Sequence, residues 1–175
     1  LTHLQMKRKP TTLYPQRKLF RQRAHSNPFS FHNFKDFPMS PLEVPLAEMY
    51  PKAVKDGARI TVFDVGCGYG GLLCALGDLY PDKLCIGLEL RVKVSEFAQK
   101  RISFEREQNN GMDNVWCLRA NVMRHLPYYF EKAQLDVVVI AFPDPHFKVA
   151  KQKRRIVSRE MLPEFAYVMR VGGHL

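Results

Sequence analysis

Two stretches of this sequence carry residue types that can do chemistry. The first is Phe142-Pro-Asp-Pro-His-Phe-Lys148, in which prolines on either side of Asp144 fix their own φ and restrict the residue before each. A carboxylate, an imidazole and an aromatic ring are thereby held on a stiff loop that can grip a planar base. An Asp in a proline turn is also an ordinary structural device, and a lone histidine such as His146 is more often structural than catalytic. The second stretch is Asp64-Val-Gly-Cys-Gly-Tyr-Gly-Gly71, which follows an apolar β-branched run from Ile60 and leads into Leu72, Ala75, Leu76 and Leu79 at helical spacing. Strand, tight turn and helix follow from that pattern, and Gly66 and Gly68 let a ligand approach main-chain N–H groups at the helix N-terminus.

The glycines admit more than one ligand. Gly66, Gly68 and Gly71 satisfy the dinucleotide spacing, with an acidic residue, Glu89, about twenty positions on. Asp64 stands two residues before the first glycine, and a negative group there suits a cationic or zwitterionic ligand better than an anionic pyrophosphate. S-adenosylmethionine carries an ammonium and a sulfonium, and Glu89 can accept from its ribose hydroxyls. A nicotinamide dinucleotide is the alternative, and a glycine turn that only packs helix on strand is the bland one.

These residues need elements to position them. Apolar runs at Leu84 to Glu89, Val115 to Leu118 and Leu135 to Ala141 read as further strands, and Val94, Phe97, Ala98 and Ile102 mark one face of a helix reaching about Glu107. Asn109-Asn110-Gly111 ends that helix. A short helical or irregular piece follows Arg119 through Phe130. Strands alternating with helices predict a parallel α/β sheet, whose ligands bind beyond the carboxyl ends of the strands. Those ends are Asp64 to Gly71, Glu89 to Arg91, Asn121 to Met123 and Ala141 to Lys148, and the unusual residues gather at all four.

The 175-residue chain has a formal net charge of +10, which predicts a polyanionic partner. Leu1 to Lys35 holds eight Lys or Arg and no acid, with Pro10, Pro15 and Pro28 breaking any long helix, so it reads as an irregular basic arm. Lys7-Arg8-Lys9 fits a nuclear address. Arg21 and Arg23 stand five and three residues before Ser26, a pattern that basophilic kinases favour, and phosphate there would oppose polyanion binding. A proline-rich lead-in from Phe37 to Asp56 follows, with a short helix at Leu46 to Tyr50. Beyond Asp144, the cluster Lys148, Lys151, Lys153, Arg154, Arg155 and Arg159 forms with the arm a footprint for a phosphate backbone. Cys67, Cys74, Cys85 and Cys117 include no C-x-x-C pair and read as reduced core residues, and no metal-ligand spacing is present. The longest apolar run, Leu135 to Phe142, is too short to cross a bilayer.

On Arg21-Gln-Arg-Ala-His-Ser-Asn-Pro28, Asp64-Val-Gly-Cys-Gly-Tyr-Gly-Gly71, Gly87-Leu-Glu-Leu-Arg-Val-Lys-Val94 and Phe142-Pro-Asp-Pro-His-Phe-Lys148, the chain resembles the eukaryotic type of tRNA (guanine-N7)-methyltransferase. The resemblance implies a Rossmann-like class I methyltransferase fold with helices on both faces of the sheet. It further implies methylation of guanine 46 in the tRNA variable loop, with a WD-repeat partner subunit and S-adenosylmethionine as donor. Gly66, Glu89, Arg91, Asn121, Val122 and Ala141 then line the donor site beside Asp64 and Gly68, and Asp144 is the catalytic residue. Where the family has asparagine followed by alanine, this chain has Asn121-Val122, a harmless change if that neighbour contributes only main chain. His146 and the basic residues face RNA. Residues 1–56 form the arm and lead-in, and 57–175 the methyltransferase domain. Against a seven-stranded sheet the chain is expected to lack about three strands, leaving the fourth as an exposed apolar edge. A chain cut in this way has a non-catalytic alternative, a form that binds RNA or the partner only.

Overall fold

The computed structural model describes residues 13–23, 26–29, 37–55, 57–108 and 110–175; Lys7-Arg8-Lys9, Asp56 and Asn109 lie outside the described residues. β1 (Ile60–Val65) is the axis of a five-stranded parallel sheet of order β3-β2-β1-β4-β5. β2 (Leu84–Glu89) and β3 (Val115–Arg119) lie on one side of it, β4 (Leu135–Val139) and β5 (Met169–His174) on the other. The chain thus steps outward in one direction and returns to β1 to step outward in the other. Between β1 and β4 the order reverses, and a crevice opens at such a point.

The two faces of the sheet are filled by the period-2 alternation of its strands. Val62, Cys85, Val115 and Cys117 face α2 (Gly71–Leu79) and α3 (Val92–Glu107), packing with Leu73, Leu76, Ala98 and Ile102. Phe63, Ile86, Leu88 and Val138 face the opposite way, toward α4 (Val122–Tyr129) and α5 (Met161–Val168), against Leu126, Phe130, Phe165 and Val168. The lead-in joins that second layer. α1 (Leu46–Met49) ends beside Tyr50, which is fully buried and donates its hydroxyl proton to the Cys85 carbonyl at 3.0 Å. All four cysteines are free and buried.

One expectation is corrected. Arg170 to His174 forms a strand, and β4 is not the edge: β5 runs parallel to it, with Leu135 opposite Met169 and Val137 opposite His174. The strand is poor in apolar residues, and its glycines serve the pairing. A Cβ on Gly173 would lie 3.1 Å from the Asp136 carbonyl oxygen. Asp136, the one acid in β4, is bound by Lys83 at 2.7 Å and by Arg170, and hydrogen bonding from Lys83 holds its carboxyl below the ordinary value.

Candidate active site

Four strand ends converge on one cavity of about 230 Å³. Gly66 follows β1 with φ +69°, a conformation that a side chain would strain. Gly70, at φ +75°, then turns the chain into α2. Glu89 ends β2 as a buried carboxylate whose position is fully determined. Its Oε1 accepts from Arg91 N at 2.9 Å and Arg91 Nε at 3.0 Å, and its Oε2 accepts from Gly68 N at 3.0 Å and Arg91 Nη2 at 3.2 Å. Four donors fill the roughly four acceptor positions a carboxylate offers.

Of the residues singled out for the donor, Gly66, Glu89, Arg91, Asn121, Val122 and Ala141 line this cavity together, with Asp144 and His146 on the facing loop. Asp64 and Gly68 do not. Gly68 acts through its N–H on Glu89. Asp64 lies within β1, opposite Gly87 and Val139, at 1 % exposure, and its Oδ2 has no hydrogen-bond partner. Burial, and then the negative charge of Glu89, push its carboxyl up to about 7.

The Asp144 loop departs from ordinary backbone at two residues, Phe142 at φ +51° and His146 at φ +39°. Positive φ outside glycine is costly and is held only where its surroundings enforce it. At His146 the bracing group is Arg155, whose Nε donates to the Pro145 carbonyl at 2.7 Å and whose Nη2 reaches the His146 carbonyl at 3.4 Å. His146 Nε2 stands 3.8 Å from Asp144 Oδ2, and the Phe142 ring is 99 % exposed.

The basic residues divide. Arg154 lines the cavity; Lys148, Lys151 and Lys153 are exposed around the 3-10 helix Val149–Arg154; Arg21 and Arg23 are exposed beside the 3-10 helix Arg17–Phe20. Arg155, expected to face RNA, braces the loop. A further participant was not foreseen. Residues 26–29 cross the cavity, where Ser26 and Pro28 form part of its lining. Pro28 is buried, and its carbonyl accepts from Asn121 Nδ2 at 2.6 Å. The local signal was Asn27-Pro28, since an asparagine before proline favours a turn, and Phe29 N donates to Asn27 Oδ1 at 3.2 Å.

Comparison with known proteins agrees with this geometry. The profile of a family described as putative methyltransferase matches residues 58–175. A tRNA (guanine-N(7)-)-methyltransferase of Drosophila simulans is 48 % identical over 162 residues, covering 91 % of this chain and 62 % of the relative. One of Anopheles gambiae is 48 % identical over 163 residues, covering 92 % of this chain and 68 % of the relative. The crystal structure of the antibiotic-resistance methyltransferase Kmr superposes with a TM-score of 0.50 at 22 % identity, over 67 % of this chain and 52 % of that one, a likeness of fold. The chain spans 62 % of the length of the Drosophila relative, and over that span it belongs to the tRNA (guanine-N(7)-)-methyltransferase family.

Proposed function

We propose that this chain methylates N7 of guanine in tRNA, at position 46 of the variable loop, with S-adenosylmethionine as donor. The observation that carries the reading is the single cavity at the β1–β4 crevice, which brings the glycine turn, Glu89 and the Asp144 loop together. The lining suits the donor. Leu88, Leu90, Met123 and Ile140 give apolar wall for an adenine, Gly66 leaves main chain open, and the buried Asp64 carboxyl behind it lacks a partner that a cation would supply electrostatically. When bound, the donor supplies an electrophilic methyl group. Glu89 would hold the ribose by accepting from its hydroxyls, in competition with the Arg91 guanidinium that bonds both of its oxygens.

Guanine N7 has an in-plane lone pair and loses no proton on methylation, so no general base is required. Rate then comes from alignment and from stabilising the positive charge that develops on the base. Asp144 accepts hydrogen bonds from the guanine edge and offsets that charge, and the Arg155 brace keeps it in place. Asp144→Asn is expected to lower kcat by roughly ten- to a hundred-fold with donor affinity unchanged, measured by single-turnover transfer and by donor titration. An equal loss of donor affinity would move Asp144 into the donor site.

Arg21, Arg23, His146, Lys148, Lys151, Lys153 and Arg154 are assigned to tRNA, and a WD-repeat protein to a heterodimer, testable by co-purification of the two chains. The nucleus is the assigned location, supported by Lys7-Arg8-Lys9 and tested by imaging a tagged chain. Ser26 is assigned as a phosphorylation site. Its place at the cavity puts a phosphate beside Glu89 and Asp144, where its negative charge opposes the tRNA phosphates. Ser26→Asp is expected to weaken tRNA binding severalfold, and binding equal to the parent contradicts the assignment.

A further inference from the structure

The loop that carries Asp144 has two faces, and only one belongs to the cavity above. Behind it lies a second recess of about 300 Å³, lined by Pro143, Asp144, Pro145, Phe147, Arg155 and Val157. Pro143 and Asp144 line both, so the two recesses share a wall. On the near side that wall presents Asp144 and His146; on the far side it presents the Phe147 ring, 84 % exposed and without an aromatic partner among the described residues. Two prolines and the Arg155 hydrogen bonds to Pro145 and His146 hold the far side in shape, so an occupant finds the slot already formed.

Charge selects the kind of occupant. The recess opens beside the 3-10 helix Val149–Arg154, with Lys148, Lys151 and Lys153 exposed around it. An exposed aromatic ring among cations matches single-stranded nucleic acid, whose bases stack on the ring while its phosphates meet the cations. An acidic protein surface would meet the lysines but would leave the Phe147 ring without a planar partner. Consecutive nucleotides of a splayed strand are separated by one backbone unit, and the two recesses are separated by one loop.

We infer that the second recess seats the base next to the target guanine, stacked on Phe147, so that the RNA straddles the Asp144 loop. The inference rests on the tRNA reading above and deepens it: the enzyme holds two bases, one for reaction and one for register. Phe147 is then a positioning residue, since its effect on the reacting guanine passes through the RNA strand.

The test uses the full chain and unmodified tRNA transcripts in which 2-aminopurine replaces, in turn, each nucleotide flanking the variable-loop guanine. Stacking quenches this fluorophore. One of the two transcripts is expected to be quenched on binding the parent and not on binding Phe147→Ala, with Phe147→Trp restoring the quench. The tRNA dissociation constant of Phe147→Ala is expected to rise about tenfold without a change in donor affinity. An abasic nucleotide at the same position should weaken the parent by a similar factor and Phe147→Ala no further. Quenching of neither transcript, or parent-like binding by Phe147→Ala, overturns the subsite. These readouts do not depend on turnover. Quenching without methyl transfer contradicts the proposed reaction and leaves the subsite standing, whereas methyl transfer by a chain that quenches neither label contradicts the subsite alone.

Discussion

Asp64 is the residue on which folding and ligand binding pull in opposite directions. Its carboxyl is buried in the middle strand, beside the charge of Glu89, and titrates near 7 instead of at 3.8. In the unfolded chain the proton leaves near the ordinary value, so between about pH 4 and pH 7 the folded state holds more protons. Stability therefore falls as pH rises through that window and falls no further above it. Asp64→Asn is expected to raise the melting temperature by several degrees at pH 8 and to leave it nearly unchanged at pH 4, read by thermal melts at both. The same variant should bind S-adenosylmethionine more weakly than the parent at pH 8, because a nearby carboxylate that a cationic ligand stabilises is gone. A variant no more stable than the parent at pH 8 contradicts the burial argument. Asp64 was legible in the sequence as a carboxylate beside a glycine turn. That it sits behind the cavity wall was not, because periodicity gives the face of a strand and not the depth of a side chain along it.

The elements that hold the site meet through close contacts at small residues. β2 passes the glycine turn at Gly87, where an added Cβ would lie 2.5 Å from Cys67 Sγ and 2.6 Å from Leu73 Cδ2. Cys67 Cβ would also lie 2.6 Å away, so relief of the contact shifts Cys67, which stands between Gly66 and Gly68. Gly87→Ala is expected to destabilise the fold by about 1–3 kcal/mol in denaturant titration, and to weaken donor binding by displacing the turn. A parent-like midpoint contradicts this packing. β1 through β4, α2 and α3 were readable because their own residues carry the pattern: β-branched runs, a glycine turn and an apolar helical stripe. β5 was not. Arg170, Gly172 and Gly173 make it look like a tail, and what makes it a strand is the open edge of β4 and the Arg170 contact with Asp136, both distant in sequence. The bracing contacts of Arg155 were hidden for a similar reason. A charge run shows where cations are dense, not which of them turns inward to a carbonyl.

At the scale of the whole molecule, the basic arm and the methyltransferase fold are not separate pieces. Tyr50 and Met49 of the lead-in are buried with Phe63 and Ile86, and Pro28 of the arm is bonded to Asn121 at the cavity. The Arg17 guanidinium lies 4.2 Å from the centre of the Tyr69 ring, in the glycine turn itself. Positive charge is thus carried by Arg17, packed on the glycine turn at Tyr69, and by the exposed Lys148, Lys151 and Lys153 that follow the Asp144 loop. Among the described residues no helix is long and apolar enough to cross a membrane, and no group of three His, Cys, Asp or Glu could hold a metal ion. The central claim is that this arrangement delivers a methyl group to guanine N7. Its most direct test is transfer of labelled methyl from S-adenosylmethionine to unmodified tRNA by this chain together with a WD-repeat partner, run beside a transcript carrying 7-deazaguanine at the variable-loop position. Label is expected in the first transcript and not in the second. Equal labelling of both contradicts the N7 assignment, and labelling of neither, with tRNA still bound, contradicts catalysis and favours a form that only binds.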